Sequence, residues 1–269
     1  MGVVFSPDGA TVATASVDRT VRLWRRSDGQ ALQVLRGPTG GIWTLAYTPK
    51  GTGVFGAGLD RAVYFWGLWR GAAVEPVVYR GHGGSIDAIA VDPRGDYAAS
   101  AGGDGTVRTW PVPDQGSHPA VLRGHDAPVG ALSFAPDGSL ASGAQDGGVF
   151  LWEPSAGGPL HGLPLGRCTG AVSAVAFSPD GALLAAAARD GTARVWTRHS
   201  GAVRIVVLSG PLRTLAFSPD GTALALGSEA AEVRVVPVSA LPLIPAAPAG
   251  LRDWLAFTTS ARVADAETN

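Results

Sequence analysis

Short apolar runs alternate along the chain with clusters of Pro, Asp and Gly. Within residues 127–152, one apolar run ends at Phe134 and is followed by Ala-Pro-Asp-Gly; a second run is followed by Gln-Asp-Gly-Gly, and a third ends at Trp152. Apolar runs this short, bounded by turn residues, favour strands over helices. This stretch therefore predicts three short strands joined by two tight turns.

The first of these turn clusters recurs along the chain. Phe-Ser-Pro-Asp-Gly occurs three times unchanged, and three looser copies keep the apolar or aromatic residue, the Pro and the Gly. The six copies begin at Phe5, Tyr47, Val91, Phe134, Phe177 and Phe217. Pro presets φ, Asp can cap the turn, and Gly accepts the left-handed conformation that closes a hairpin. The spacing of 40 to 44 residues indicates a repeat array in which this phrase is a turn.

A second phrase has the same period. An Asp precedes a Trp by six residues in five units, at Asp18 and Trp24, Asp60 and Trp66, Asp104 and Trp110, Asp146 and Trp152, and Asp190 and Trp196. A further apolar run follows each Trp and supplies a fourth strand, predicted for the sixth unit at residues 240–246. Four antiparallel strands per unit, apolar on both faces, are what radially packed blades require.

These motifs resemble those of the WD40-repeat β-propellers. Arg-Gly-His stands at residues 80–82 and 123–125, and Asp-Gly-Thr-Val-Arg-x-Trp closes a unit at residues 104–110. The resemblance covers roughly residues 1 to 240. It implies an all-β fold, a β-propeller of six recognisable four-stranded blades, with the first blade truncated at its N-terminal edge.

The resemblance also implies a structural hydrogen-bond tetrad in two units. The tetrads would be His82, Ser100, Asp104 and Trp110, and then His125, Ser142, Asp146 and Trp152. Hydroxyl, imidazole, carboxylate and indole groups can satisfy one another in series inside a sheet. Other units lack the His, which is replaced by Pro38, Cys168 and Leu208, so we expect those blades to be less rigid.

Domain organisation leaves one alternative open. We predict a propeller over residues 1–245 and a C-terminal tail over residues 246–269, in which residues 251–263 favour a short helix packed on the propeller. Either six blades close a ring, or the chain is the regulatory C-terminal part of a larger signalling protein. An open ring would expose blade edges and favour self-association.

Composition narrows the classes of partner and compartment. The 21 basic and 22 acidic side chains produce no global field, so neither nucleic acid nor a membrane is an expected partner. Cys168 is the only cysteine, which excludes an intrachain disulfide framework and is compatible with a reducing compartment. We therefore expect a cytoplasmic protein. One lysine against twenty arginines indicates a GC-rich genome and hence a bacterial source.

No catalytic motif is found in the sequence. The phosphate-loop, Gly-x-Ser-x-Gly and His-Glu-x-x-His patterns are absent, and Cys168 occupies the position of the tetrad His. We therefore predict that the protein is not an enzyme and uses no cofactor or metal.

Function is then expected where the repeats differ at equivalent exposed positions. By resemblance, two positions per unit border the top face of the propeller; their candidate partner-binding residues are Trp43, Leu59, Asp87, Gln145, Ser173, Arg189 and Arg213. Trp and Arg are favoured interface anchors. The sequence thus favours a scaffold or sensor domain that binds a protein or peptide. The alternatives are that Trp43 only fills space between blades, or that the central channel binds a small ligand or carries out hydrolysis.

Overall fold

The computed structural model describes residues 2–68, 75–112, 119–155, 158–198 and 200–241. The described chain is almost entirely β-structure, ending in one 3₁₀ turn at Val238–Ala240. No helix within it is long and apolar enough to cross a membrane. The strands are β1 (Val3–Phe5), β2 (Thr11–Ala15), β3 (Val21–Arg25), β4 (Ala31–Leu35), β5 (Ile42–Tyr47), β6 (Gly53–Gly58), β7 (Ala62–Gly67), β8 (Val77–Arg80), β9 (Ile86–Val91), β10 (Tyr97–Gly102), β11 (Val107–Pro111), β12 (Ala120–Leu122), β13 (Val129–Phe134), β14 (Leu140–Ala144), β15 (Gly148–Ser155), β16 (Gly158–Arg167), β17 (Val172–Phe177), β18 (Leu183–Ala188), β19 (Thr192–Thr197), β20 (Val203–Val207), β21 (Leu212–Phe217), β22 (Ala223–Ser228) and β23 (Val233–Pro237).

The strands form six antiparallel sheets in chain order, which we number blades 1 to 6. Blades 1 to 5 are four-stranded meanders, from β1–β4 to β17–β20, and blade 6 contains β21–β23. The predicted all-β propeller of six blades is confirmed. In blade 4 the register pairs Phe134 with Leu140 and Leu140 with Trp152, so the turn phrase and the Trp phrase each lie where predicted.

The predicted outer strand of blade 6 differs from the structure at its start. Residues Val238–Ala240 form the 3₁₀ turn instead, and Leu241 is buried against the last two blades. The rest of that predicted strand lies outside the described residues. The proposed domain boundary at residue 245 and the tail helix over residues 251–263 also lie outside them.

The repeated phrase closes the hairpin between the first two strands of a blade. In blade 1, Gly9 has φ of 67°, and its N–H donates to the Ser6 carbonyl at 2.8 Å. The Ser6 hydroxyl donates to Asp8 Oδ1 at 2.5 Å and accepts from the N–H of Thr11 at 2.9 Å. Asp8 and Gly9 thus have the structural roles in the turn that the sequence predicted, and Ser6 adds a further one.

Apolar cores lie between consecutive blades. Each of five buried clusters combines residues of two neighbouring sheets, such as Val21 of blade 1 with Val54 and Trp66 of blade 2. Side chains alternate between the two faces of a strand, so every central blade contributes to two clusters. This is why both faces of each blade had to be apolar in the sequence.

The outer faces of the two end blades are uncovered. Val3 and Phe5 of blade 1 are 62% and 61% exposed, and Val233 and Val235 of blade 6 are 78% and 65% exposed. Among the described residues, no core cluster joins blade 6 to blade 1. These apolar faces are what the predicted self-association would require, and self-association itself stays a prediction.

Candidate functional site

Blade 3 contains a continuous chain of four hydrogen-bonded side chains. Trp110 Nε1 donates to Ser100 Oγ at 2.8 Å, Ser100 Oγ lies 2.8 Å from His82 Nε2, and His82 Nδ1 lies 2.9 Å from Asp104 Oδ2. Ser100, Trp110 and His82 are buried. Burial pushes the pKa of Asp104 up, but N–H groups of Gly83 and Thr106 and the Thr106 hydroxyl outweigh it, bringing the pKa to about 2.

Blade 4 repeats only part of this chain, which corrects the predicted second tetrad. Trp152 Nε1 donates to Ser142 Oγ at 2.8 Å, and Ser142 Oγ lies 2.6 Å from His125 Nε2. The buried His125 Nδ1 has no hydrogen-bond partner among the described residues. Asp146 instead accepts from the N–H of Gly148 at 3.0 Å and from the guanidinium of Arg167.

Blades without the His fix their turn Asp by other donors. Asp18 of blade 1 binds Arg22 at 2.7 Å, and Asp60 of blade 2 accepts from the Tyr64 hydroxyl at 2.8 Å. Asp190 of blade 5 accepts from the Thr169 hydroxyl at 2.6 Å. These substitutes were not expected from the sequence, although Arg22 and Tyr64 share one position, two residues before Trp. Replacement of the His therefore does not leave these carboxylates unanchored.

The remaining candidates for chemistry have structural surroundings. Cys168 is buried, and burial raises the pKa of its thiol to about 11, so it is protonated at neutral pH. Within the described part of the chain, no three His, Cys, Asp or Glu side chains come together to hold a metal ion.

The top face is the face that carries the turn between the second and third strands of each blade. Of the seven candidate binding residues, four are exposed at this face: Leu59, Gln145, Arg189 and Arg213. At each of the two top-face positions the residue type differs among the blades, in contrast to the recurring Asp and Trp of the repeats. The exposed residues form a varied surface on a repetitive scaffold.

Trp43 and Ser173 are partly buried because each connects its blade to the next. Trp43 Nε1 donates to the Ile86 carbonyl at 2.9 Å, and Ser173 Oγ donates to the Leu212 carbonyl at 2.7 Å. The acceptors lie at equivalent positions, one at the start of β9 and one at the start of β21. The interpretation of Trp43 as a residue between blades thus has direct structural support, and its binding role stays a prediction.

Charges are unevenly distributed over the top face. Asp87 of blade 3 is partly buried, and this burial raises the pKa of its carboxyl group, although the Ser85 hydroxyl opposes the effect. On blades 5 and 6, Glu229 contacts the guanidinium of Arg213 and lies 3.7 Å from that of Arg189. The face therefore offers different chemistry to a partner at different blades.

Fold and repeated contacts together define a blade-repeat propeller whose recurring polar residues stabilise its sheets. Comparison with known sequences identifies the family. The family described as "WD domain, G-beta repeat" (WD40) matches residues 1–25, 29–67, 75–111, 116–153 and 161–197. These segments cover more than half of the chain, and the chain belongs to this family.

Individual relatives resemble shorter stretches. "Cilia- and flagella-associated protein 52" of Sus scrofa is 29% identical over 41% of this chain and 18% of its own length. "Transcription initiation factor TFIID subunit 5" of Caenorhabditis elegans is 30% identical over 39% and 16%, respectively. "Ribosome biogenesis protein WDR12 homolog" of Chlamydomonas reinhardtii is 32% identical over 39% and 25%. The matched region spans a quarter or less of each relative. All three come from eukaryotes, so the bacterial source stays a prediction.

Proposed function

We propose that this chain is a non-catalytic scaffold or sensor domain that binds a protein or peptide across its top face. The observation that carries the proposal is the contrast between buried and exposed positions. The Trp of the third strand recurs in five blades and is buried in four of them, whereas equivalent exposed top-face positions hold Leu59, Gln145 and Arg189. Side chains that differ from blade to blade at one rim are suited to reading a partner's sequence.

The relatives support a role in protein assemblies in general and do not indicate a particular partner. One is named as a subunit of a transcription initiation factor, which makes that protein a component of an assembly. The family and the repeated contacts are compatible with a binding role that needs no catalytic group. The channel alternative would draw on Asp87, a carboxylate already placed at the rim of blade 3. We retain the cytoplasmic location as part of the proposal.

A peptide selection tests the proposal and does not require the partner to be identified. A displayed library of random 12-residue peptides is selected on the folded chain, and the selected peptides are titrated by fluorescence polarisation. Four exposed top-face residues are varied singly: Leu59→Ser, Gln145→Ala, Arg189→Ala and Arg213→Ala. Lys50→Ala and Arg94→Ala are matched controls, because both lie in turn phrases at the opposite end of the blades.

We expect at least one top-face variant to weaken binding about tenfold or more, equivalent to about 1.4 kcal/mol, because a few residues dominate an interface. The control variants should change affinity by less than about twofold. Selected peptides that bind all four top-face variants as tightly as the parent chain would refute the proposed surface.

A further inference from the structure

The top turns of blades 1 and 2 share a pattern that the other blades lack. Their sequences are Val17-Asp18-Arg19 and Leu59-Asp60-Arg61, an apolar residue followed by Asp and Arg. Arg19 and Arg61 have φ values of 70° and 64°, in the left-handed region. Blades 3, 4 and 5 place Gly105, Gly147 and Gly191 there. Of the other non-Gly residues described, only Ala231 of blade 6 shares this region, with φ of 58°, so blades 1 and 2 alone hold a charged residue in a conformation that favours glycine. Such outliers concentrate at functional sites.

Val17 and Leu59 are brought together by the loop that enters blade 2. They are 62% and 50% exposed, and both contact Gly41. A Cβ on Gly41 would lie 3.1 Å from Val17 Cα and 3.5 Å from Leu59 Cδ1. The N–H of Ile42 donates to the Ser16 carbonyl at 3.0 Å, which fixes this loop against blade 1. Gly41 is itself buried, because the turns that carry Val17 and Leu59 close over it and hold these two exposed residues side by side.

Glycine at this position is specific to blade 2. The residues directly before the first strands of blades 3 to 6 are Ser85, Pro128, Ala171 and Pro211. Each of these residues carries a Cβ, which at Gly41 would lie 3.1 Å from Val17 Cα. The close approach of the two turns at Gly41 is therefore a local property of blades 1 and 2.

The surroundings of Val17 and Leu59 are basic. Asp18 is paired with Arg22 at 2.7 Å, and both oxygens of Asp60 accept hydrogen bonds from neighbouring groups. Further exposed arginines lie at the same end of these blades: Arg19, Arg36, Arg61 and Arg80. An acidic partner is favoured electrostatically by an excess of basic side chains whose neighbouring carboxylates are already engaged.

We propose that the exposed pair Val17 and Leu59 binds an acidic peptide segment through one apolar anchor side chain. The anchor packs against Val17 and Leu59, and carboxylates on either side of it pair with Arg19 and Arg61. Arg donates in a planar fork that matches a carboxylate. This inference rests on the proposed function and deepens it, since it assigns one part of the top face and the chemistry of its partner.

Three labelled peptides test the chemistry directly. Each has nine residues with Leu-Phe at its centre, flanked by Glu in the first, Lys in the second and Ser in the third. Fluorescence polarisation should show binding of the Glu peptide and at least about tenfold weaker binding of the other two. Leu59→Ser should weaken the Glu peptide about tenfold or more. Lys50→Ser, in a turn phrase at the opposite end of the blades, should change its affinity by less than about twofold.

Replacing Arg19 or Arg61 by Gly distinguishes a role in peptide binding from a role in folding. Arg19→Gly and Arg61→Gly should each raise the melting temperature by about 1–3 °C, because Gly adopts positive φ without a Cβ penalty. Both should nevertheless weaken the Glu peptide at least about threefold. A gain in thermal stability together with a loss of affinity cannot be attributed to unfolding.

The outcomes separate this inference from the proposed function. Preference for the Lys or Ser peptide, no binding of any of the three, or binding of the Glu peptide that survives Leu59→Ser overturns the acidic-peptide site. The proposed function still stands if selected library peptides depend on Gln145, Arg189 or Arg213. It fails as well if those library peptides bind every top-face variant unchanged.

Discussion

Blades 3 and 4 carry the same His, Ser, Asp and Trp at equivalent positions, yet only blade 3 joins them into one chain. In blade 3 the His82 imidazole bridges Ser100 and Asp104. In blade 4 the imidazole binds Ser142 alone, and its Nδ1 is buried without a partner in the described part of the chain. Identical residues in an identical register therefore do not guarantee an identical polar network.

Neighbouring residues explain the difference. The hydroxyl and N–H of Thr106 both donate to Asp104 Oδ1, at 2.8 and 3.0 Å, and orient that carboxylate. Blade 4 has Gly148 at the matching position, so its Asp146 loses the hydroxyl donor. The guanidinium of Arg167 then competes for the free oxygen. A single missing hydroxyl thus accompanies the release of the carboxylate from the imidazole.

Removing the turn carboxylate should give the largest contrast between the two blades. Asp104→Ala is expected to lower the free energy of unfolding by about 3 kcal/mol, since it deprives a buried imidazole, two N–H groups and a hydroxyl of their acceptor. Asp146→Ala should cost only about 1 kcal/mol, because His125 Nδ1 already has no partner among the described residues and Arg167 can turn to solvent. Denaturant titrations of both variants measure the difference. Equal costs would mean that the two networks are energetically the same.

Because His125 Nδ1 is unpaired within the described chain, the stability that blade 4 contributes should be more sensitive to acid than that of blade 3. Burial lowers the pKa of His125 to about 4, despite the nearby carboxylates of Asp146 and Asp126. An unfolded His titrates near 6.5, so the unfolded state binds more protons between these values. The neutral His125 therefore makes its full contribution to the free energy of unfolding above about pH 6.5, and this contribution is lost as the pH falls towards 4.

The expected loss over that interval is about 2 kcal/mol, allowing for solvent screening of a partly buried ring. Unfolding titrations from pH 7 to 4 should show a flatter profile for His125→Gln than for the parent chain. His82→Gln should flatten the profile less, because Asp104 opposes the effect of burial on the pKa of His82. Parallel profiles for the parent chain and His125→Gln would contradict this assignment.

Restoring the missing hydroxyl should produce the smallest change, a gain in stability. In blades 1, 3 and 5, Thr20, Thr106 and Thr192 donate to their turn Asp at 2.7, 2.8 and 2.6 Å. Gly148→Thr places a Cβ 3.1 Å from Asp146 Oδ1 and 3.4 Å from His125 Nδ1, both on side chains that can shift. Because Gly also weakens a strand interior, we expect a gain of about 0.5–1 kcal/mol by denaturant titration.

Gly148→Val is the matched control for this prediction. Valine supplies the β-branched side chain without the hydroxyl, so it should recover the strand contribution but not the hydrogen bond to Asp146. If Gly148→Thr is no more stable than Gly148→Val, the hydroxyl does not determine the orientation of the carboxylate.

The sequence by itself determined the architecture because its signals are local. Pro, Asp and Gly in one phrase specify a hairpin whatever surrounds it, and the period of 40 to 44 residues reports how often the hairpin recurs. Apolar runs on both faces then require blades that pack on each other. Asp104 and Trp110 of blade 3 follow from the same period, whereas His82 and Ser100 were implied by the resemblance to WD40-repeat propellers.

Only the tertiary structure decided which polar groups meet, because those contacts join residues distant in the chain. Asp146 pairs with Arg167 from the outer strand, and Trp43 reaches the Ile86 carbonyl of the next blade. The exposed residues Val17 and Leu59 come from different blades, and they lie side by side because the small residue Gly41 lies between their turns. Local sequence patterns determine which strand or turn carries a side chain. Its hydrogen-bond and packing partners depend on distances between residues that only the folded structure sets.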